Sequence, residues 1–188
     1  LRVAEALRRR GELDSVLILV PSIDLVSQTF SDWTRFRSAD EVWATPGEKV
    51  WATPREEVWA PLGVVSSVAD TALPRTTDSE VIEAFLAGPA VRALFCTYHS
   101  ASKVAEALRR AGRRVDLLVC DEAHRTTGAR TKRDAKPLDD DFLPARRRLF
   151  LTATPRLVGE KRDASGDLVR ARSMDIEALY GPCVYRLK

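Results

Sequence analysis

The sequence has few cysteines, and they are not arranged for a cross-link or a metal. Cys96, Cys120 and Cys183 are the three cysteines of the 188 residues, and they form no CxxC pair. An odd set of this kind argues against a disulfide framework and against a zinc site. Cys96 and Cys120 lie in apolar, strand-like runs, where a free thiol behaves as a small hydrophobe. A reducing, cytoplasmic setting fits this pattern best.

Long apolar runs are missing as well. No segment approaches the length that spans a bilayer, and the first residues, LRVAEALRRRG, are amphipathic, unlike a signal peptide. The hydrophobic fraction of 45% and the charged fraction of 30% are typical of a globular domain and exclude a disordered tail. A net charge of +3 is compatible with a nucleic-acid partner but does not by itself indicate one.

Strand-like and helix-like segments alternate along the chain. The hydrophobic pattern predicts strands at residues 16–20, 63–69, 93–98, 115–121 and 147–154, and helices at 1–10, 23–37, 78–86 and 102–112. Thr77 or Asp78 is expected to cap the third helix. Residues 125–147 are polar and charged, and we predict a long surface loop there, either irregular throughout or with one short helix. The alternation predicts an α/β fold with a parallel sheet and helices on both faces, with ligands at the carboxyl ends of its strands.

A short tandem repeat follows the second predicted helix. EVWATPGE, KVWATPRE and EVWAPLG follow one another over residues 41–63, and they contain Trp43, Trp51 and Trp59. We predict a repeat-containing surface insertion over residues 38–62, most simply a slipped duplication, because surface loops tolerate insertion. The alternative is an aromatic segment that binds a partner or a single nucleic-acid strand.

The segment LLVCDEAHRTTG, residues 117–128, carries the strongest chemical signal. An apolar strand delivers Asp121 to the carboxyl edge of the sheet, where a carboxylate can hold a magnesium ion that bridges phosphate oxygens. Glu122 is placed to orient or deprotonate an attacking water, and His124 to sense the terminal phosphate. The alternative is a buried strand followed by a polar turn.

A second strand-like segment ends in small hydroxyl residues. RLFLTATPR, residues 148–156, offers the hydroxyls of Thr152 and Thr154 as short donors and acceptors. Taken alone, it fits a buried strand with a turn equally well. DEAH followed by TAT resembles motifs II and III of the superfamily-two helicases and translocases. In the same group, VPSIDLVSQT (20–29) resembles motif Ia and CTYHS (96–100) resembles motif Ib.

The resemblance is specific enough to imply a function. DEAHRTTG, TATPR and the distal MDIEALYGPCVYRL, residues 174–187, are most similar to DEAD/DEAH-box proteins related to the motor subunits of restriction enzymes. The resemblance implies that residues 1–188 are a partial first RecA-like domain of an ATP-driven DNA motor, with ATP and Mg²⁺ as cofactors. It implies the following roles: Asp121 as magnesium ligand, Glu122 as catalytic base, and His124, Thr152 and Thr154 as groups that couple hydrolysis to movement.

The resemblance also implies a path for nucleic acid, which we expect to be DNA, with RNA as an alternative. The residues placed along it are Ser22, Gln28, Thr97, Tyr98 and Ser100. Hydroxyls, amides and helix N-termini bind phosphates without reading sequence. The alternatives are a helix cap for Ser22, an exposed polar face for Gln28 and a core aromatic for Tyr98. His99 is expected to have no role.

A phosphate-binding loop, GxxxxGK followed by Ser or Thr, is missing from the sequence. No lysine is preceded by glycine, and none is followed by Ser or Thr. We expect this loop directly before Leu1, and a second RecA-like domain with its arginine finger after Lys188. The 188 residues alone are expected to bind ATP weakly and to show no turnover. The strand at 147–154 is expected to carry an unpaired edge. The alternative function is a non-catalytic remnant that binds nucleic acid.

Overall fold

A computed structural model of the chain describes residues 2–36, 62–67, 75–88, 92–129, 132–159, 161–162, 168–169 and 171–185. In chain order its elements are α1 (Arg2–Arg9), β1 (Ser15–Val20), α2 (Ile23–Phe36), β2 (Leu62–Val65), β3 (Arg75–Thr76), α3 (Ser79–Ala87), β4 (Arg92–Thr97), α4 (Ala101–Arg110), β5 (Val115–Cys120), β6 (Ala145–Phe150), β7 (Lys161–Arg162), β8 (Leu168–Val169) and α5 (Glu177–Tyr180). The predicted insertion over residues 38–62, with its tryptophan repeat, lies outside the described residues apart from Leu62, which begins β2.

In the part of the chain that the structure describes, six parallel strands form the main sheet, in the order β3-β2-β4-β1-β5-β6. The central strands β1, β4 and β5 are apolar runs buried along almost their whole length, as expected for strands covered on both faces. Leu17 and Leu19 of β1 belong to a core cluster with residues of α3 and α4. Val16 and Ile18 belong to a second cluster with residues of α1 and α2. The predicted parallel sheet with helices on both faces is therefore confirmed.

The ends of several elements differ from the prediction. β6 ends at Phe150 instead of residue 154, and β2 ends at Val65 instead of residue 69. Beyond β6, the carbonyl of Leu151 accepts from the backbone N–H of Ala123 at 2.8 Å, so the chain leaves the ladder to meet the turn after β5. The β-branched Thr152 and Thr154 gave the sequence a strand signal that this turn overrides. Among the described residues β6 pairs only with β5 and lies at the edge of the sheet.

The segment predicted as a long polar loop, residues 125–147, contributes to the core. It contains a 3-10 helix at Arg133–Leu138, and it buries Leu143 in the same cluster as α4. Asp134 of this helix is only 4% exposed and accepts from Nε of Arg125 and from Nε of Arg133, each at 3.2 Å. Buried polar groups of this kind are hydrogen-bonded because an unpaired one costs free energy.

All three cysteines are free thiols. Cys96 on β4 and Cys120 on β5 are fully buried, whereas Cys183, which follows α5, is exposed. Burial raises the pKa of the Cys120 thiol to about 12 and also raises the pKa of Cys96. Among the described residues, no helix combines the length and the apolarity that a membrane crossing requires.

Candidate functional site

Asp121 stands at the carboxyl edge of the sheet, directly after β5. Its backbone N–H donates to the carbonyl of Leu19 on β1 at 2.9 Å, so the residue is tied to the neighbouring strand. Its carbonyl accepts a hydrogen bond at 2.9 Å from the hydroxyl of Tyr98, a side chain that is 2% exposed. Two parallel strands and a buried tyrosine therefore fix the position of this aspartate.

The Asp121 carboxylate is half-buried and has few partners. Among the described residues, its one hydrogen bond comes from the backbone N–H of Glu122, which donates to Oδ1 at 2.9 Å. Burial raises the pKa of Asp121, the hydrogen bond from Glu122 N–H lowers it, and the charge of Glu122 raises it again, for a net increase. A carboxylate that is partly desolvated beside a second carboxylate gains from a divalent cation, so the residue fits the predicted magnesium ligand.

No larger metal cluster accompanies it. In the part of the chain that the structure describes, no group of three or more His, Cys, Asp or Glu side chains is placed to hold a metal ion. Magnesium is commonly bound through one or two carboxylates, with water and substrate phosphate completing the coordination. One protein carboxylate at this edge is therefore compatible with a nucleotide-bound magnesium ion and unsuited to an all-protein cage.

Glu122 has a left-handed backbone, with φ 48° and ψ 47°, and is the one described non-glycine residue with positive φ. This conformation costs a residue with a side chain about 1–2 kcal/mol. It allows the chain to leave β5 and enter the 3-10 helix Ala123–Thr126 within one residue. Such strain is common where structure serves function, so it supports Glu122 as a site residue.

His124 joins the two motifs. Its Nδ1 lies 3.2 Å from Oε2 of Glu122 and 3.0 Å from the hydroxyl of Thr152. The hydroxyl of Thr154 lies 3.4 Å from the same ring nitrogen, and the N–H of Thr154 donates to Thr152 Oγ1 at 3.1 Å. One imidazole nitrogen thus meets oxygens from the ends of β5 and β6. The residues predicted from DEAH and TAT come together in one hydrogen-bonded group.

The residues predicted to line a nucleic-acid path differ in burial. Thr97 and Ser100 are buried, with the Thr97 hydroxyl accepting from the N–H of Ser100 at 3.3 Å, and Tyr98 is the core aromatic described above. Ser22 accepts from the N–H of Leu25 at 3.4 Å as a helix cap.

Gln28 on α2 is exposed. These positions agree with the alternatives named for three of the residues: a helix cap for Ser22, an exposed face for Gln28 and a core aromatic for Tyr98. Nucleic-acid contact by these residues stays a prediction, and for the buried ones it would involve backbone groups. His99 is also exposed, and its Nδ1 lies 2.7 Å from a guanidinium nitrogen of Arg133.

Sequence reasoning missed the contacts that hold the turn after the acidic pair. The Thr126 hydroxyl donates to the carbonyl of Ala123 at 2.7 Å and lies 2.9 Å from the hydroxyl of Tyr180. The ring of Tyr180 packs edge-on against Phe150, with centroids 5.0 Å apart. Arg172 forms a backbone bridge with Gly128. The distal segment thus supports the site, and no local pattern in the sequence marks a pairing over such a separation.

Comparison with known proteins gives a family match and two structural matches. A family model described as "Type III restriction enzyme, res subunit" matches residues 1–157. A search of curated proteins found no match.

Two solved structures are similar over nearly the whole chain. A nuclease-deletion mutant of the Type ISP restriction-modification enzyme LlaGI, in complex with a DNA substrate mimic, is 27% identical, with a TM-score of 0.67 over 96% of this chain and 14% of that one. The ATP-dependent Type ISP enzyme LlaBIII bound to DNA is 27% identical, with a TM-score of 0.70 over 99% of this chain and 12% of that one. The chain therefore spans only a small part of either enzyme. Its parallel sheet matches their RecA-like helicase domain.

Proposed function

The chain belongs to the family of type III restriction enzyme res subunits, and from this premise we propose that it forms the ATP-hydrolysing side of a DNA translocase in a restriction system. Within that motor, residues 1–188 belong to the first RecA-like domain, which acts with a second RecA-like domain. The observation that carries the proposal is the contact of His124 Nδ1 with both Glu122 at 3.2 Å and Thr152 at 3.0 Å. This contact joins the acidic pair and the TAT segment in one hydrogen-bonded group.

The roles of the residues follow from their surroundings. Asp121 holds magnesium, which when bound neutralises charge on the phosphate oxygens. Glu122 accepts the proton of the attacking water, because a carboxylate fixed at the edge of the sheet is a suitable general base. His124 lies within hydrogen-bond distance of Glu122 and of the hydroxyls of Thr152 and Thr154. A change at the phosphate that moves Glu122 therefore shifts the segment after β6 through these contacts.

The similar enzymes support the choice of substrates. LlaBIII is described as ATP-dependent and bound to DNA, and LlaGI as bound to a DNA substrate mimic. From this likeness we infer ATP as the nucleotide and DNA as the polymer. We infer Mg²⁺ from the acidic pair and a cytoplasmic location from the free cysteines. The test below has two competing outcomes. In one the polymer is RNA, and in the other the protein binds nucleic acid without hydrolysing ATP.

The test is ATP hydrolysis by the full-length protein with no nucleic acid, with duplex DNA and with RNA. We expect DNA-stimulated turnover that Asp121→Asn and Glu122→Gln each lower by about 100-fold or more, in line with the loss of acid–base and metal-binding groups. Asp141→Asn is the matched control, because Asp141 is an exposed acid in the connection from β5 to β6. The 188 residues alone are expected to show no turnover.

Three results would contradict this proposal. A folded full-length protein without turnover would favour the non-catalytic remnant. Stimulation by RNA but not by DNA would show that the motor acts on RNA. Equal losses in Asp141→Asn and Asp121→Asn would show that the acidic pair has no special role.

A further inference from the structure

A second concave site lies at the opposite edge of the sheet, where the strands begin. It is a cavity of about 460 Å³. Its lining comes from the starts of β1, β4, β5 and β6 and from the ends of α3 and α4, and its charged residues are Asp14, Arg92, Arg113, Arg114, Asp116 and Arg146. This volume falls in the range of about 300–1,000 Å³ that is usual for ligand sites. The cavity shares no residue with the acidic pair and its hydrogen-bonded group.

Two guanidinium groups converge in this cavity. Nη1 of Arg113 donates to the carbonyl of Leu86 at 2.7 Å, and Nη1 of Arg92 donates to the same carbonyl at 3.4 Å. Arg92 is only 7% exposed, and Leu86 is the one hydrogen-bond acceptor of its guanidinium among the described residues. Burial lowers the pKa of Arg92, Arg113 lowers it further, and Asp14 raises it. A buried cation beside a second cation, with one neutral acceptor between them, is stabilised by an anion.

Asp116, one of the two acidic residues of the cavity, is engaged by groups other than Arg92 and Arg113. Asp116 Oδ2 accepts from the N–H of Asp14 at 2.9 Å and from the N–H and hydroxyl of Ser15 at 3.0 and 3.1 Å. Its Oδ1 lies 3.3 Å from Nε of Arg146. The four arginines and two aspartates of the lining leave a net charge of +2. The charge of Asp14 offsets part of that of Arg92, and the lining as a whole stays positive.

Gly88 makes room for the buried guanidinium. A Cβ atom at this position would stand 2.6 Å from Nη2 of Arg92, closer than a real contact allows. The backbone of Gly88, with φ −62°, suits any residue, so glycine is not needed there for the turn itself. An alanine at this position would move the Arg92 guanidinium while leaving the charge of the cavity unchanged.

We propose that this cavity binds a phosphate group. Guanidinium groups match phosphate oxygens through paired, charge-assisted hydrogen bonds, and a phosphate dianion balances the net charge of the lining. A phosphate also offers more acceptor oxygens than a carboxylate to several convergent donors. The cavity and the acidic pair lie at opposite ends of β5, separated by about 16 Å at roughly 3.3 Å per residue.

The test is calorimetric titration of the full chain with pyrophosphate, without ATP or Mg²⁺, at constant ionic strength set with sodium chloride. We expect saturable binding that Arg113→Gln weakens by about tenfold or more, the loss typical of a charged hydrogen bond. Gly88→Ala is expected to weaken binding as well, because it displaces the Arg92 guanidinium. Arg109→Gln removes the same charge from α4 outside the cavity and should leave binding unchanged. Asp121→Asn should bind as the wild type does, which separates this site from the ATP site.

A further titration identifies the source of the phosphate. Release of pyrophosphate by a short single-stranded DNA would assign the cavity to a nucleic-acid backbone, whereas retention in the presence of DNA would assign it to a small phosphorylated ligand. Absence of saturable pyrophosphate binding to the folded wild type would overturn the proposal. Equal weakening by Arg109→Gln and Arg113→Gln would overturn it too, because that result shows attraction to overall charge only.

Discussion

Asp116 and Asp121 stand at opposite ends of strand β5, and their surroundings differ sharply. Asp116 is 8% exposed, and its carboxylate accepts from two backbone N–H groups and a hydroxyl and pairs with Arg146. Asp121 is half-buried, accepts one hydrogen bond from Glu122, and has a pKa raised by burial. The same strand therefore carries two different carboxylates. Protein groups occupy the acceptor positions of Asp116, whereas Asp121 keeps acceptor positions available to a ligand.

The same contrast extends to the two edges of the sheet. The amino edge is rich in guanidinium groups around its cavity, whereas the carboxyl edge presents Asp121, Glu122 and His124. A parallel sheet produces this separation because all its strands start at one edge and end at the other. If the two aspartates differ as their contacts indicate, their removal changes stability in opposite directions.

The largest expected effect is at the amino edge. Asp116→Ala should lower the free energy of unfolding by about 3 kcal/mol or more, because it leaves two backbone N–H groups and a paired arginine without their acceptor. Urea unfolding followed by circular dichroism measures the change. The exposed Asp141→Ala should change it by less than about 0.5 kcal/mol. Equal small effects of both variants would mean that the bonds to Asp116 contribute little.

A smaller loss of stability is expected when the hydrogen bond from Tyr98 to the backbone of Asp121 is removed. Tyr98→Phe removes the hydroxyl that donates to the Asp121 carbonyl at 2.9 Å. It should lower the free energy of unfolding by about 1–2 kcal/mol, the usual cost of a lost buried hydrogen bond. Tyr185→Phe, at a residue that is 77% exposed, is the matched control and should have no measurable effect. A Tyr98→Phe variant as stable as the wild type would show that this hydrogen bond does not stabilise the fold.

The smallest effect has the opposite sign. The folded pKa of Asp121 is raised, first by burial and also by Glu122. The stability that this raised pKa provides is fully present below the unfolded pKa and is lost as pH rises through the folded pKa. Asp121→Asn stays uncharged, so it should be slightly more stable than the wild type at neutral pH, and the difference should vanish towards acid pH.

Urea unfolding from acid to neutral pH tests the sign, with the exposed Asp141→Asn as the control. A wild type that is more stable than Asp121→Asn at neutral pH would contradict the prediction. It would also remove the contrast between the two aspartates.

The central strands and the acidic site could be predicted from the sequence because their signals are local. The apolar runs of β1, β4 and β5 identify buried strands, and Asp78, whose side chain accepts from the N–H of Glu80, identifies the start of α3. The resemblance implies a shared role for His124, Thr152 and Thr154, and the contact of His124 with Thr152 is compatible with that role.

The remaining features depend on contacts between distant residues. β3 has two residues, Arg75 and Thr76, and carries no apolar signal that would distinguish it from a loop. The bond between Thr126 and Tyr180 joins residues separated by more than fifty positions. The arginine cavity is assembled from the starts of four strands, so no stretch of sequence contains it. Charge patterns along a chain do not show which residues a sheet brings together.

The burial of two thiols and the exposure of the third make the chain suited to selective labelling. A maleimide dye reaches Cys183 in the folded protein, whereas Cys96 and Cys120 are shielded in the sheet. Cys183 follows closely after Tyr180, whose hydroxyl lies 2.9 Å from that of Thr126 in the turn after the acidic pair. A fluorophore there reports rearrangement at the carboxyl edge, and slow modification of the two strand cysteines gives the rate at which the sheet opens.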